Sequence, residues 1–112
     1  MLILFGDQVI DFIKSKLPVL DENIIEIIVF GSFARGDYTP QSDIDLLLIT
    51  KNIKASEKIF SELRTSILMN FEIVVSAIYY TPELFKKSIK TGIPLVKTIL
   101  KEGKTVWRRN GT

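Results

Sequence analysis

The 112-residue chain contains no cysteine and no histidine. Without cysteine, disulfides, thiol nucleophiles and thiolate zinc sites are excluded. Without histidine, the commonest general base and the commonest transition-metal ligand are missing as well. Any catalysis therefore rests on carboxylates, hydroxyls, Lys, Arg or backbone groups. A metal held by oxygen ligands alone points to Mg²⁺ or Mn²⁺. No apolar run approaches the roughly 20 residues needed to span a bilayer. The opening MLILFGDQVIDF has no basic n-region and is interrupted by Asp7 and Asp11, so no signal peptide and a cytoplasmic location are expected. One domain over residues 1–112, long enough for a real core, is the expectation from length.

Charge is present but unevenly spread. From Glu83 onward there are eight basic residues against two acidic ones, whereas residues 1–82 carry seven against eleven. A basic C-terminal part suits phosphate or an acidic partner surface, and equally a solvated lysine-rich helix face. Lys86, Lys87 and Lys90 fall on one such face.

Apolar periodicity orders the chain. Leu2, Phe5, Val9, Phe12, Ile13 and Leu17 recur at helical spacing, with Pro18 expected to stop the helix. Ile24 to Phe30 (IIEIIVF) reads as a buried strand closed by Gly31, and Ile44 to Thr50 as a second strand. Gly31 to Gln41 is turn and loop with room for one short helical turn. Ala55 to Asn70 has helical periodicity, and Phe71 to Tyr79 reads as a third strand. Thr81-Pro82-Glu83 is a helix start, with Thr81 as N-cap, running to about Lys90 before Gly92 and Pro94. A short helical stretch at Leu95 to Leu100 and a last strand at Thr105 to Trp107 follow. This order describes a small α/β (α+β) fold with a mixed sheet.

The chemistry concentrates in GSFARGDYTPQSDIDLLLI, Gly31 to Ile49. Gly31 and Gly36 have the spacing of a phosphate-binding P-loop, but Asp37 and Tyr38 stand where Lys and Ser/Thr are required, which excludes one. Asp43 and Asp45 head an apolar strand at i and i+2, so they project from one face about 6.6 Å apart along the chain. Two such carboxylates repel unless a cation lies between them. The plain alternative is a pair of solvated acids at a loop end, with Ser42-Asp43 capping a turn. Gly31 allows close backbone approach to a phosphate chain, Ser32 offers a hydroxyl and an N–H, and Arg35 offers a charge-assisted phosphate contact or an ion pair with Asp37.

The strand ending in Gly31-Ser32, followed after about ten residues by Ser42-Asp43-Ile44-Asp45-Leu46, resembles the signature of the DNA polymerase β-like nucleotidyltransferase superfamily. Ala34-Arg35-Gly36, Gly92-Ile93-Pro94-Leu95 and Gly103-Lys104-Thr105-Val106 extend the likeness toward the minimal nucleotidyltransferases found as antitoxins. The resemblance implies the nucleotidyltransferase fold and transfer of a nucleoside monophosphate, AMP from ATP, to a hydroxyl. It implies two Mg²⁺ ions (or Mn²⁺) on Asp43, Asp45 and a third carboxylate from a neighbouring strand. Glu72, at the head of FEIVV, is the matching position, although the family more often has Asp there. Gly31, Ser32 and Arg35 are then the nucleotide-binding residues. The implied partner is a small helical HEPN-type toxin, with self-association also open and no membrane or nucleic-acid role expected. A non-catalytic antitoxin that masks its partner sterically is the rival reading. Tyr79, Tyr80 and Trp107 are better read as packing residues than as a base-stacking platform.

Overall fold

The computed structural model describes residues 2–111, with side chains from residue 6 onward. Five helices and a four-stranded sheet alternate in the expected order: α1 (Leu2–Leu20), β1 (Ile24–Phe30), α2 (Gly31–Arg35), β2 (Ile44–Thr50), α3 (Ile53–Phe71), β3 (Val75–Tyr80), α4 (Pro82–Thr91), α5 (Pro94–Glu102) and β4 (Lys104–Arg108). The sheet order is β3-β2-β1-β4. β1 runs antiparallel to both β2 and β4, while β2 and β3 are parallel and joined by the α3 crossover. Among the described residues no helix is long and apolar enough to cross a membrane.

Strand parity divides the core into two layers. Ile44, Leu46 and Leu48 of β2 pack with Val9, Ile13 and Leu17 of α1 and Phe60, Leu63 and Ile67 of α3. The alternate residues Leu47 and Ile49 pack with Ile28 and Ile99, with Phe85 of α4 against them. β2 is thus covered on both faces, which is why IDLLLIT is a nearly continuous apolar run rather than an alternating one. Leu2 and Phe5, expected on the same stripe as Val9, lie outside the described side chains.

Local signals set most boundaries. The Thr81 hydroxyl accepts from the Leu84 N–H at 3.1 Å, Pro82 occupies the first helical position, and Gly92 ends α4 at φ 71°. Pro18 does not stop α1, which continues to Leu20. Proline in the last turn removes one N–H and leaves the later ones in place, and Asp21 N–H still bonds Leu17 O at 2.8 Å. The freed end is tied elsewhere: the Arg109 guanidinium donates to the carbonyls of Pro18, Asp21 and Ile24. Beside it the Asp21 carboxylate accepts from Ser56 Oγ at 2.6 Å, and Ser56 Oγ lies 2.6 Å from Thr50 Oγ1. Asp21, Thr50 and Ser56 are all buried.

The third strand begins at Val75 rather than Phe71. Phe71 closes α3 and its ring lies 6.1 Å from that of Phe12, so packing against α1 extends the helix into the apolar run. Glu72 is then the C-cap, in the left-handed region at φ 56°, with its N–H on Leu68 O. A non-glycine residue there is strained by roughly 1 kcal/mol. Glu72→Gly is therefore expected to stabilise the fold by about that amount in urea unfolding.

Candidate active site

The carboxylate pair sits where β2 enters the sheet. Ile44 is fully buried, and Asp43 and Asp45 flank it on the other face, Asp43 exposed and Asp45 half-buried. Asp45 pairs with Phe30 of β1 and with Ser76 of β3, so these three residues form one row across the central strands. Ser76 Oγ donates to Asp43 Oδ2 at 3.2 Å. The loop before the pair is pinned by a turn in which Ser42 N–H bonds Thr39 O at 2.9 Å and Ser42 Oγ accepts from Thr39 N–H at 3.2 Å.

Gly31 links this row to the short helix α2. Its φ is 75°, and a Cβ at this position would overlap the Asp45 carboxylate. The absent side chain therefore seats Asp45, a reason beyond phosphate approach. Gly31→Ala should displace that carboxylate, and a displacement of about 1 Å is enough to lower transfer on the order of 100-fold. Steady-state rates measured beside a thermal melt separate this loss from unfolding.

Burial pushes the Asp45 carboxyl above its ordinary value, the Asp43 charge adds to that, and Arg35 opposes it. Two neighbouring acids in this state favour a cation. Arg35 is 43% exposed and lies between two carboxylates, 3.4 Å from Asp37 and 3.5 Å from Glu102. The expected Asp37 ion pair is present, and Glu102 is an additional partner that sequence spacing could not supply. Ser32 lies half-buried in the first turn of α2. Tyr38, which the sequence reading did not single out, packs edge-on against Phe33 at 5.3 Å; burial and then Asp43 raise its hydroxyl.

Glu72 does not join the pair. Among the described residues no three carboxylates gather into a metal-holding group. Its assignment assumed a strand reaching back to Phe71, whereas Glu72 is the C-cap of α3 and β3 begins only at Val75. The flanking position on β3 is held by Ser76. The donor set of Asp43 and Asp45, hard oxygens only, fits one Mg²⁺-type ion that keeps waters or phosphate oxygens as its remaining ligands. Tyr79 packs on the first core layer, Tyr80 lies 5.8 Å from Phe85, and Trp107 carries the Arg109 guanidinium at 4.9 Å, so all three aromatics pack.

A strand-turn-helix bearing Gly-Ser, set against a carboxylate pair on the next strand, defines a nucleotidyl-transfer scaffold. The sequence pattern of the nucleotidyltransferase domain family matches residues 7–105, and the chain belongs to that family. It is 37% identical over 97 residues to "Putative protein adenylyltransferase MJ0604" of Methanocaldococcus jannaschii, covering 87% of this chain and 92% of that one. A second protein of that organism, "Putative protein adenylyltransferase MJ0141", is 34% identical over 84 residues, covering 72% and 79%. Among solved structures, a toxin-antitoxin with AMP-PNP superposes at TM-score 0.62 with 19% identity, over 90% of this chain and 74% of that chain. A toxin-antitoxin MntA-HpeT structure gives 0.53 with 19% identity, over 94% and 73%. These likenesses establish the shared fold.

Proposed function

We propose that this nucleotidyltransferase moves AMP from ATP to a hydroxyl on a partner protein, and that the partner is a toxin of the small helical HEPN type. The observation that carries the reading is the Asp43/Asp45 pair packed against the Gly31 turn. Asp43 and Asp45 would hold a Mg²⁺ ion, which would supply neutralisation of charge on the phosphates undergoing transfer. Gly31 and Ser32 bind the β- and γ-phosphates, the Ser32 hydroxyl donating to a phosphate oxygen. Arg35 contributes its guanidinium to the same phosphates by turning from Asp37, a short swing for an exposed side chain. The sheet row keeps both carboxylates oriented before substrate arrives, so little reorganisation remains.

The relatives named as protein adenylyltransferases and the toxin-antitoxin neighbours support a protein acceptor. The exposed face of α4 bearing Lys86, Lys87 and Lys90 supplies a basic surface for an acidic partner. The second reading, steric masking without chemistry, gains from the missing third carboxylate. Incubation with the product of the adjacent gene, Mg²⁺ and ATP labelled at the α-phosphate tests both. Label on the partner is expected. Binding without label transfer from any NTP establishes masking instead.

A further inference from the structure

We infer that this chain holds one divalent cation rather than two, because Ser76 stands where a second ion would need a carboxylate; this rests on the nucleotidyl-transfer reading above. Two dications about 3.5–4 Å apart repel strongly and are held by several anionic oxygens between and beside them. Asp43 and Asp45 supply two negative charges, enough with a triphosphate for one ion. A second ion requires another charged ligand on the same face of the sheet. The parallel register identifies the only strand neighbour of Asp45 on β3 as Ser76. Its hydroxyl is neutral and donates to Asp43 Oδ2.

At the free edge of β3, Ser76 also lines a cleft of about 170 Å³ with Arg64, Thr65, Leu68, Val74 and Val75. The charged residue of that cleft is Arg64, so it adds no anionic oxygen. Glu72 does not compensate, since its left-handed backbone takes it out of the strand and no third carboxylate joins the pair among the described residues.

The test counts bound metal. The protein is dialysed at fixed free Mn²⁺ with the α,β-methylene analogue of ATP, and manganese and nucleotide per chain are measured. The wild-type chain is expected to retain one manganese with one nucleotide. Glu72→Gln should retain the same, and Ser76→Asp should retain two. Two ions on the wild-type chain, or a loss of manganese in Glu72→Gln, overturn the proposal. So does a folded Ser76→Asp that still holds one. If Ser76→Asp fails to fold, the wild-type and Glu72→Gln counts still decide. A wild-type chain that binds one nucleotide and two ions leaves nucleotidyl transfer standing. A chain that binds neither nucleotide nor manganese overturns both.

Discussion

Asp43→Asn combined with Asp45→Asn is expected to abolish label transfer, by at least about 10³-fold, since in the proposed mechanism this pair holds the cation and cation stabilisation of the transferring phosphates is worth several kcal/mol. The same substitutions relieve a cost in the metal-free protein. Burial and the Asp43 charge hold the Asp45 carboxyl above its ordinary value. Protonation of Asp45 therefore stabilises the fold fully below the unfolded-state value, and this contribution is lost as pH rises through the higher folded-state value. Asp45→Asn removes the dependence. Its melting temperature in chelator should match wild type in acid and exceed it by a few degrees once pH passes that window. Added Mg²⁺ should then raise the wild-type melting temperature and leave the double variant unmoved. Transfer surviving in the double variant removes the proposed mechanism.

Asp21→Ala is expected to cost about 3 kcal/mol, the largest single-residue effect outside the apolar core. Asp21 is 1% exposed, and its carboxylate accepts from Ser56 Oγ and from the Asn23 N–H. Ser56 in turn meets Thr50 Oγ1, and both hydroxyls are buried. Removing the carboxylate takes away the charged acceptor of Ser56 Oγ and leaves that buried hydroxyl with Thr50 Oγ1, which itself is shared with the Asn52 backbone. The network ties the end of α1, the end of β2 and the first turn of α3, so the damage spreads over three elements. Urea unfolding should show a lower midpoint with an unchanged slope, and the melting temperature should fall on the order of 10 °C. Asp21→Asn keeps the shape and one acceptor and should lose roughly half as much.

The residues that announced themselves did so through local chemistry. Thr81, Pro82 and Gly92 bound α4 because capping and φ preference act within a turn. The carboxylate pair was legible because strand parity alone puts Asp43 and Asp45 together and Ile44 away from them. What failed needed distant partners. FEIVV has strand composition, but Phe71 meets Phe12 from α1 and stays helical, which moves Glu72 out of the sheet. Strand alternation along 71–79 would put Glu72 and Ser76 on one face. Only the β2–β3 register shows that Ser76 is the one opposite Asp45. Pro18 misled for a local reason: in the last turn its missing N–H forfeits one bond while later amides still pair, as Asp21 does with Leu17. Asp21 gave no sequence signal beyond a lone acid after an apolar helix.

The row Phe30–Asp45–Ser76 sits at the entrance to β2, a strand hydrogen-bonded on both edges and covered on both faces. Backbone amides there exchange with solvent only when the whole sheet opens, whereas those of the 36–41 loop exchange through local fluctuation. Asp45, carried by β2 itself, is therefore expected to hold its place until the sheet opens. Activity on heating disappears together with the sheet, not before it.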